Sequence, residues 1–150
     1  MAIEGSASTE IDAPIDKVFA VAADVEGSPR WQPEIKSATA TERGPDGEQL
    51  YVKTEVDGKV KTLKSDLRFS YAGPGGMSWV QEDGDLKAVR GSWAFEDLGG
   101  DRTKATYTLH VDLGRKLGMV VRGPLVDALR AQLCDSMPGK LKRFMEAEEA

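Results

Sequence analysis

The chain has 150 residues and carries 25 acidic against 20 basic side chains, for a formal net charge of −5 at pH 7. This acidic balance argues against nucleic acid or an anionic membrane surface as the main partner, and the length fits a single domain over residues 1–150. One cysteine, no apolar run of membrane-spanning length and no secretory apolar stretch after Met1 favour a reduced, cytoplasmic compartment.

The first part of the chain predicts a weak strand and then a short helix. Residues 3–11 place Ile3 and Ile11 among polar side chains. Pro14 then suits a first helical turn, because its missing N–H would be unpaired there in any case. The residues that follow share one face at helical spacing: Ile15, Val18, Phe19 and Ala22. Glycine and proline keep the next segment short and bent around Trp31.

From Ile35 to Leu113 the apolar residues alternate with a period of two, which is typical of strands. Asp–Gly is the strongest hairpin signal, since both central residues of a type I′ turn need positive φ. The turn signals of this region divide it into six strands of an antiparallel meander, and the first strand makes seven. These signals are Gly44–Gly47, Asp57–Gly58, Gly73–Gly76, Asp83–Gly84 and Gly99–Asp101.

The alternation gives the sheet one apolar, aromatic face and one charged face, as expected when only one side is covered. The residues predicted to point inward are Leu50, Val52, Thr54, Val56, Leu63, Ser65, Leu67, Phe69, Tyr71, Met77, Trp79, Val89, Gly91, Trp93, Phe95, Ala105, Tyr107, Leu109, Val111 and Leu113. The same parity turns His110 toward solvent.

The last stretch, residues 123–148, predicts the cover of that apolar face. Its apolar stripe recurs every fourth residue, at Leu125, Leu129, Leu133, Met137, Leu141 and Met145. A long amphipathic helix packed on an antiparallel sheet is an α+β architecture. Pro138 interrupts the stripe, and a strict four-residue ladder drifts about 40° per step around a helix. We expect a kink at Pro138; two shorter helices, the second capped by Ser136, are the alternative.

Together these elements resemble the START-like helix-grip superfamily, and within it the polyketide cyclase/dehydrase and lipid-transport group, the SRPBCC proteins. The residues that carry the resemblance are Ala13–Pro14–Ile15–Asp16–Lys17–Val18–Phe19, Asp24 and Pro29–Arg30–Trp31. The resemblance implies a curved seven-stranded sheet wrapped around the C-terminal helix, with two short helices between strands 1 and 2. It also implies a deep apolar cavity between sheet and helix. Members bind lipids, polyketides, quinones or plant-hormone-like molecules, and only some are enzymes.

The candidate ligand-binding residues follow from this cavity and from the inward face. They are Phe19, Trp31, Thr54, Phe69, Tyr71, Trp79, Gly91, Trp93, Phe95, Tyr107, Leu109, Leu129 and Leu133. The aromatic residues either line a pocket or simply fill a core. The small residues Thr54 and Gly91 suggest open space. Trp31 is expected at the cavity mouth; its alternative role is a hydrophobic anchor for the bent segment.

Polar chemistry is sparse on the inward face. Tyr107, Ser65 and Thr54 are candidates to hydrogen-bond a ligand oxygen, or else they are satisfied by backbone or water. We predict no catalytic residue, no metal site and no cofactor, and we expect the outward His110 to take no part in chemistry. A basic run is interleaved with acidic residues and is interpreted as a solvated face. Its members are Lys59, Lys61, Lys64 and Arg68.

The function predicted from these observations is to bind or carry a small hydrophobic ligand, such as a lipid, a polyketide or an aromatic polycycle. A polyketide aromatase/cyclase or dehydratase-like enzyme is the alternative, and it needs a titratable group inside the cavity, for which only Tyr107 is a candidate. A protein-interaction module is a second alternative and requires an exposed apolar patch. Whether the chain is an enzyme is left open, and a homodimer is possible.

Overall fold

The structure is a computed structural model that describes residues 2–58 and 61–149, so Lys59 of the basic run lies outside the described residues. The elements in chain order are β1 (Ala2–Ile11), α1 (Ile15–Ala23), a 3₁₀ helix (Val25–Arg30), β2 (Ile35–Arg43), β3 (Gln49–Asp57), β4 (Thr62–Tyr71), β5 (Gly76–Gly84), β6 (Ala88–Gly99), β7 (Arg102–Asp112), α2 (Gly114–Val120), α3 (Pro124–Arg130), a π turn (Ala131–Asp135) and α4 (Met137–Glu149).

The seven strands form one antiparallel sheet in the order β1-β7-β6-β5-β4-β3-β2. Strands β2 to β7 are therefore a meander, and β1 pairs with β7 along its whole length, from Ala2 opposite Asp112 to Ile11 opposite Thr103. The α+β helix-grip architecture is confirmed, including the two short helices between β1 and β2. The sheet stays open, with β1 and β2 at its edges, and β2 pairs with β3 through three register shifts.

The five predicted turns lie between strands or at strand ends, with Asp83–Gly84 forming the end of β5, but the turn type expected at Asp–Gly is wrong. Among the described residues with positive φ, Asp101 is the one that is not glycine, so neither Asp57 nor Asp83 has the conformation of a type I′ turn. That conformation occurs instead at the two-residue turn of Gly100 and Asp101, with φ of 62° and 59°. There the primed turn matches the twist of the β6–β7 hairpin.

The predicted faces of the sheet are confirmed. The aromatic and aliphatic residues predicted to point inward on β6 and β7 are buried, among them Trp93, Phe95, Tyr107 and Leu109. His110 lies on the outer face, opposite Glu4 of β1, and its Nδ1 contacts the Glu4 carboxylate. Its side chain is 21% exposed.

We expect His110→Gln to change the free energy of unfolding by less than about 1 kcal/mol, because an ion pair at the surface contributes about 0–1 kcal/mol. Urea melts of both proteins measure the change, and a matched Thr108→Val on the same outer face reports the background effect of such a replacement. A loss of several kcal/mol would show that His110 is structural.

The C-terminal cover is helical from Pro124 to Glu149, but its irregularity precedes Pro138. The Ser136 N–H donates to the carbonyl of Ala131, five residues back, at 2.9 Å, where an α-helix would span four. The Ser136 hydroxyl donates to the Gln132 carbonyl at 3.2 Å, so it does not cap a second helix. The cover is therefore divided into two shorter helices, α3 and α4, as in the alternative, but the π turn joins them and Ser136 does not cap the second.

The π turn has a geometric reason in the apolar stripe. A ladder repeating every four residues drifts by about 40° per step, whereas one extra residue in a turn rotates the following helix by about 100° relative to the preceding one. The turn therefore cancels much of the accumulated drift and keeps both halves facing the sheet. Leu129 is buried before the turn and Cys134 within it, and Met137, Leu141 and Met145 are buried after it.

One helix was not predicted. The segment Gly114–Val120 forms α2, none of whose residues is buried. Its residues lack the long apolar period that identifies the final helices, and Met119 and Val120 are exposed.

Within the part of the chain that the structure describes, no helix is long and apolar enough to cross a membrane.

Candidate ligand cavity

A cavity of about 140 Å³ lies between the sheet, the two short helices and the C-terminal helices. Six strands, β2 to β7, contribute to its wall, because the curved sheet bends around the helical cover. The lining residues are Ala22, Val25, Ser28, Gln32, Glu34, Ile35, Thr54, Val56, Asp57, Gly58, Leu63, Ser65, Leu67, Phe69, Met77, Trp79, Leu86, Val89, Trp93, Tyr107, Leu109, Val111, Leu133 and Met137. The wall is predominantly apolar, so it favours an apolar occupant.

The size of the cavity limits that occupant. An engineered apolar cavity of about 150 Å³ stays dry and binds benzene, whereas pockets for larger ligands reach about 300–1,000 Å³. The cavity as it stands therefore matches a single ring. Met77 and Met137 belong to its wall, and the flexible thioether chain of methionine adapts readily to a different shape.

The two inward hydroxyls on β3 and β4 already have partners. Thr54 donates to the Ser65 carbonyl at 2.6 Å, and Ser65 Oγ donates to Gln81 Oε1 at 2.7 Å. The Gln81 amide in turn donates to the Leu86 carbonyl at 2.8 Å. The alternative in which these hydroxyls are satisfied internally is thus the observed one.

Tyr107 is the inward phenol of β7. Burial raises the pKa of its hydroxyl far above the ordinary value, and the Cys134 and Glu34 side chains shift it in the same direction. The phenol therefore stays protonated at neutral pH. It is suited to donate a hydrogen bond into the cavity and unsuited to accept a proton as a general base.

Glu34 is a cavity residue that the sequence analysis missed. It lies between the 3₁₀ helix and β2, and its Oε2 pairs with Lys140 Nζ of α4 at 2.9 Å. Lys140 also donates to the Gln132 carbonyl at 3.1 Å. The Glu34 side chain is only 5% exposed and the Lys140 side chain 15%. No local sequence pattern predicts this pair, since 106 residues separate Glu34 from Lys140.

Part of the predicted ligand-binding set lies at the cavity. These residues are Thr54, Phe69, Trp79, Trp93, Tyr107, Leu109 and Leu133. Their contact with a ligand remains a prediction. The other predicted residues do not line it: Phe19, Trp31, Tyr71, Gly91, Phe95 and Leu129. Three of them pack together, with Phe19 edge-on to Tyr71 and Phe95 at centroid distances of 6.2 and 6.4 Å.

The open space expected at Gly91 is absent. A Cβ at this position would lie 2.4 Å from Cζ2 of Trp79, far closer than any van der Waals contact. Gly91 pairs with Trp79 across the β5–β6 ladder. The glycine therefore makes room for the indole ring and leaves none for a ligand.

The mouth position expected for Trp31 is also wrong. Its ring is buried and packs against Trp93, which lines the cavity, at a centroid distance of 6.3 Å, whereas Trp31 itself does not line it. Trp31 also borders a surface depression that includes Arg30, Lys140 and Phe144. This position matches the alternative role of an anchor for the bent segment.

A metal centre has no candidate among residues 2–58 and 61–149, where no three His, Cys, Asp or Glu side chains are grouped to hold an ion. The predictions of no metal and no cofactor stay predictions.

The curved seven-stranded sheet closed by C-terminal helices has the helix-grip fold of START-like proteins. Residues 11–137 match the model of the family described as "Polyketide cyclase / dehydrase and lipid transport", and the chain belongs to this family.

Solved structures share the fold at low sequence identity. A START superfamily protein from Mycobacterium smegmatis is 21% identical, with a TM-score of 0.83 over 97% of this chain and 98% of that one. A protein from Thermus thermophilus is 19% identical, with a TM-score of 0.82 over 98% and 99%. The Zhui aromatase/cyclase from Streptomyces sp. R1128 is 21% identical, with a TM-score of 0.66 over 98% and 84%. No curated protein sequence matches the chain.

Proposed function

We propose that this chain binds or carries a small hydrophobic molecule in the cavity between the sheet and the C-terminal helices. The observation that carries the proposal is a cavity of about 140 Å³ whose wall is mostly aliphatic and aromatic. The transfer of an apolar ligand from water into an apolar cavity is favourable, because it removes apolar surface from water. A lipid, polyketide or aromatic polycycle larger than one ring requires the methionine-containing wall to move.

A pair of matched variants tests this proposal. Val89 lines the cavity, whereas Val80 lies on the outer face of the same sheet and is 50% exposed. We expect wild type to bind toluene in an NMR titration and Val89→Phe to weaken that binding by about tenfold or more, which corresponds to about 1.4 kcal/mol or more. Val80→Phe should bind toluene like wild type.

Thermal melts complete the test. If Val89→Phe fills real space, the variant should retain its stability, whereas a solid core loses about 1–3 kcal/mol on such an insertion. Wild type that binds neither toluene nor naphthalene, together with a destabilised Val89→Phe, would refute the cavity-binding proposal.

An aromatase/cyclase-like reaction is the second candidate, favoured by the family and by the aromatase/cyclase named among the structural neighbours. Proton transfer in such a reaction needs a titratable group at the cavity. Tyr107 supplies a protonated phenol and Glu34 a carboxylate, so the cavity contains both a donor and an acceptor. Turnover of an aromatic-forming polyketide thioester, absent in Tyr107→Phe, would favour this candidate.

The interaction-module alternative has less support. Among the described residues, the exposed large apolar side chains are Val80, Leu98, Met119 and Val120. Only Met119 and Val120 are adjacent in sequence, which is a small patch for a docking surface. We also propose a cytoplasmic location, no nucleic-acid partner and a homodimer.

A further inference from the structure

The Glu34 carboxylate leaves one of its oxygens without a partner. Oε2 pairs with Lys140, but Oε1 is buried and accepts no hydrogen bond from residues 2–58 or 61–149. More than about 90% of buried polar groups in proteins have a hydrogen-bond partner. An unpaired buried oxygen of a charged group is costly, so its position favours whatever molecule supplies a donor.

This oxygen belongs to a residue of the cavity wall. The neighbouring hydroxyls of Thr54 and Ser65 are already committed to acceptors of the protein. Among the buried side-chain oxygens of the described lining residues, Glu34 Oε1 is the acceptor that has no partner. The other buried side-chain nitrogen or oxygen without a partner among the described residues is Trp31 Nε1, which belongs to a residue outside the lining.

The charge of the site selects the kind of donor. Lys140 already neutralises Glu34, so a cationic ligand would add an uncompensated charge to an apolar cavity. A hydrocarbon, ether or ketone would leave Oε1 unpaired. A neutral hydroxyl satisfies it without adding charge.

We propose that Glu34 Oε1 accepts a hydrogen bond from a neutral hydroxyl of the ligand, so that the cavity selects a phenol or an alcohol over a hydrocarbon of the same shape. This inference rests on the proposed binding function. It adds to that function the chemical class of the ligand, and it makes Glu34 a specificity-determining residue held in place by Lys140.

The test compares p-cresol with p-xylene, which differ by a hydroxyl in place of a methyl group. Calorimetric titrations give the ratio of their dissociation constants in wild type and in Glu34→Leu/Lys140→Met. Both charges are removed together because a single replacement would leave the other buried and unpaired. The intrinsic difference in hydration of the two probes cancels in the comparison between proteins.

We expect the preference for p-cresol to fall by about tenfold or more in the double variant, the range for a hydrogen bond to a charged group. The matched control is Glu146→Leu/Lys142→Met, which removes a Glu–Lys pair that lies within α4 and has an N–O distance of 2.7 Å. This control should keep the wild-type preference.

A second readout uses wild type alone, in case the double variant does not fold. The carboxyl ¹³C resonance of Glu34 should shift when p-cresol binds and stay in place when p-xylene binds. An equal preference in all three proteins, with no such shift, would overturn the inference and assign Oε1 to a buried water. If neither probe binds to wild type, the proposed function itself fails, and this inference fails with it.

Discussion

Ending the chain at Gly123 is expected to abolish cooperative folding. The removed segment contributes four large buried apolar side chains to the core: Leu129, Met137, Leu141 and Met145. Burying such side chains stabilises a fold by about 1.5–3 kcal/mol each, or about 6–12 kcal/mol for the four. A domain is stable by only about 5–15 kcal/mol in total. The sheet would also expose its aromatic face to water, and Glu34 would lose Lys140.

Urea melts followed by circular dichroism, together with binding of a hydrophobic dye, measure this loss. We expect the shortened protein to show no sigmoidal transition and strong dye fluorescence. A chain ending at Ala147, which keeps all of the buried residues named above, should melt like the full chain. A monomeric, cooperatively folded product of the shorter truncation would show that the sheet does not depend on its helical cover.

Gly91→Phe is expected to destabilise the protein by about 3 kcal/mol or more, the upper range for overpacking of a core. The sequence alone suggested the opposite, a change that fills a cavity and preserves the fold. The structure reverses this expectation because even a Cβ at Gly91 would lie 2.4–2.8 Å from three atoms of the Trp79 indole. The neighbouring Arg90 is exposed, and Arg90→Phe should change stability by less than about 0.5 kcal/mol.

A double-mutant cycle identifies the clash. Gly91→Ala alone should be destabilising, and the same change should cost much less in a Trp79→Leu background, where the indole is gone. Residues in contact show coupling energies of about 0.5–3 kcal/mol. Additive losses in the double variant would mean that Gly91 is required for a reason unrelated to Trp79.

The sheet was predictable from sequence because alternation and turn residues are local signals. The inward parity of β6 and β7, with Trp93 and Tyr107 inside and His110 outside, follows directly from the period of two. The C-terminal stripe was equally clear, since it is long and regular. The sequence did not predict how the helix keeps this stripe facing the sheet. A π turn and a kink at a proline can both correct the drift of a four-residue repeat, so the repeat alone does not distinguish them.

The candidate site was less predictable than the fold. Parity tells which way a side chain points, but it does not tell whether the space in front of it is filled. Gly91 and Thr54 both point inward and both are small, yet an indole fills the space at Gly91 while Thr54 borders the cavity. The pairing of Glu34 with Lys140 joins a bent segment to the last helix and depends on the assembled fold alone.

The two edges of the open sheet bear on how this protein behaves at high concentration. An unpaired edge strand is a template on which a second copy can add its own strand, the first step toward fibrils. Here a side chain of the same chain blocks one backbone group on each edge strand. The Ala40 N–H of β2 donates to the Glu26 carboxylate at 2.8 Å, and the Glu10 carbonyl of β1 accepts from Lys142 Nζ at 2.9 Å.

The hydrogen bond between the Ala40 N–H and the Glu26 carboxylate is expected to persist in mild acid. The hydrogen bond from the Ala40 amide, helped by Arg43, lowers the pKa of Glu26, so the carboxylate stays ionised below the pH at which an ordinary glutamate takes up a proton. A second copy would have to displace these side chains before it could extend the sheet.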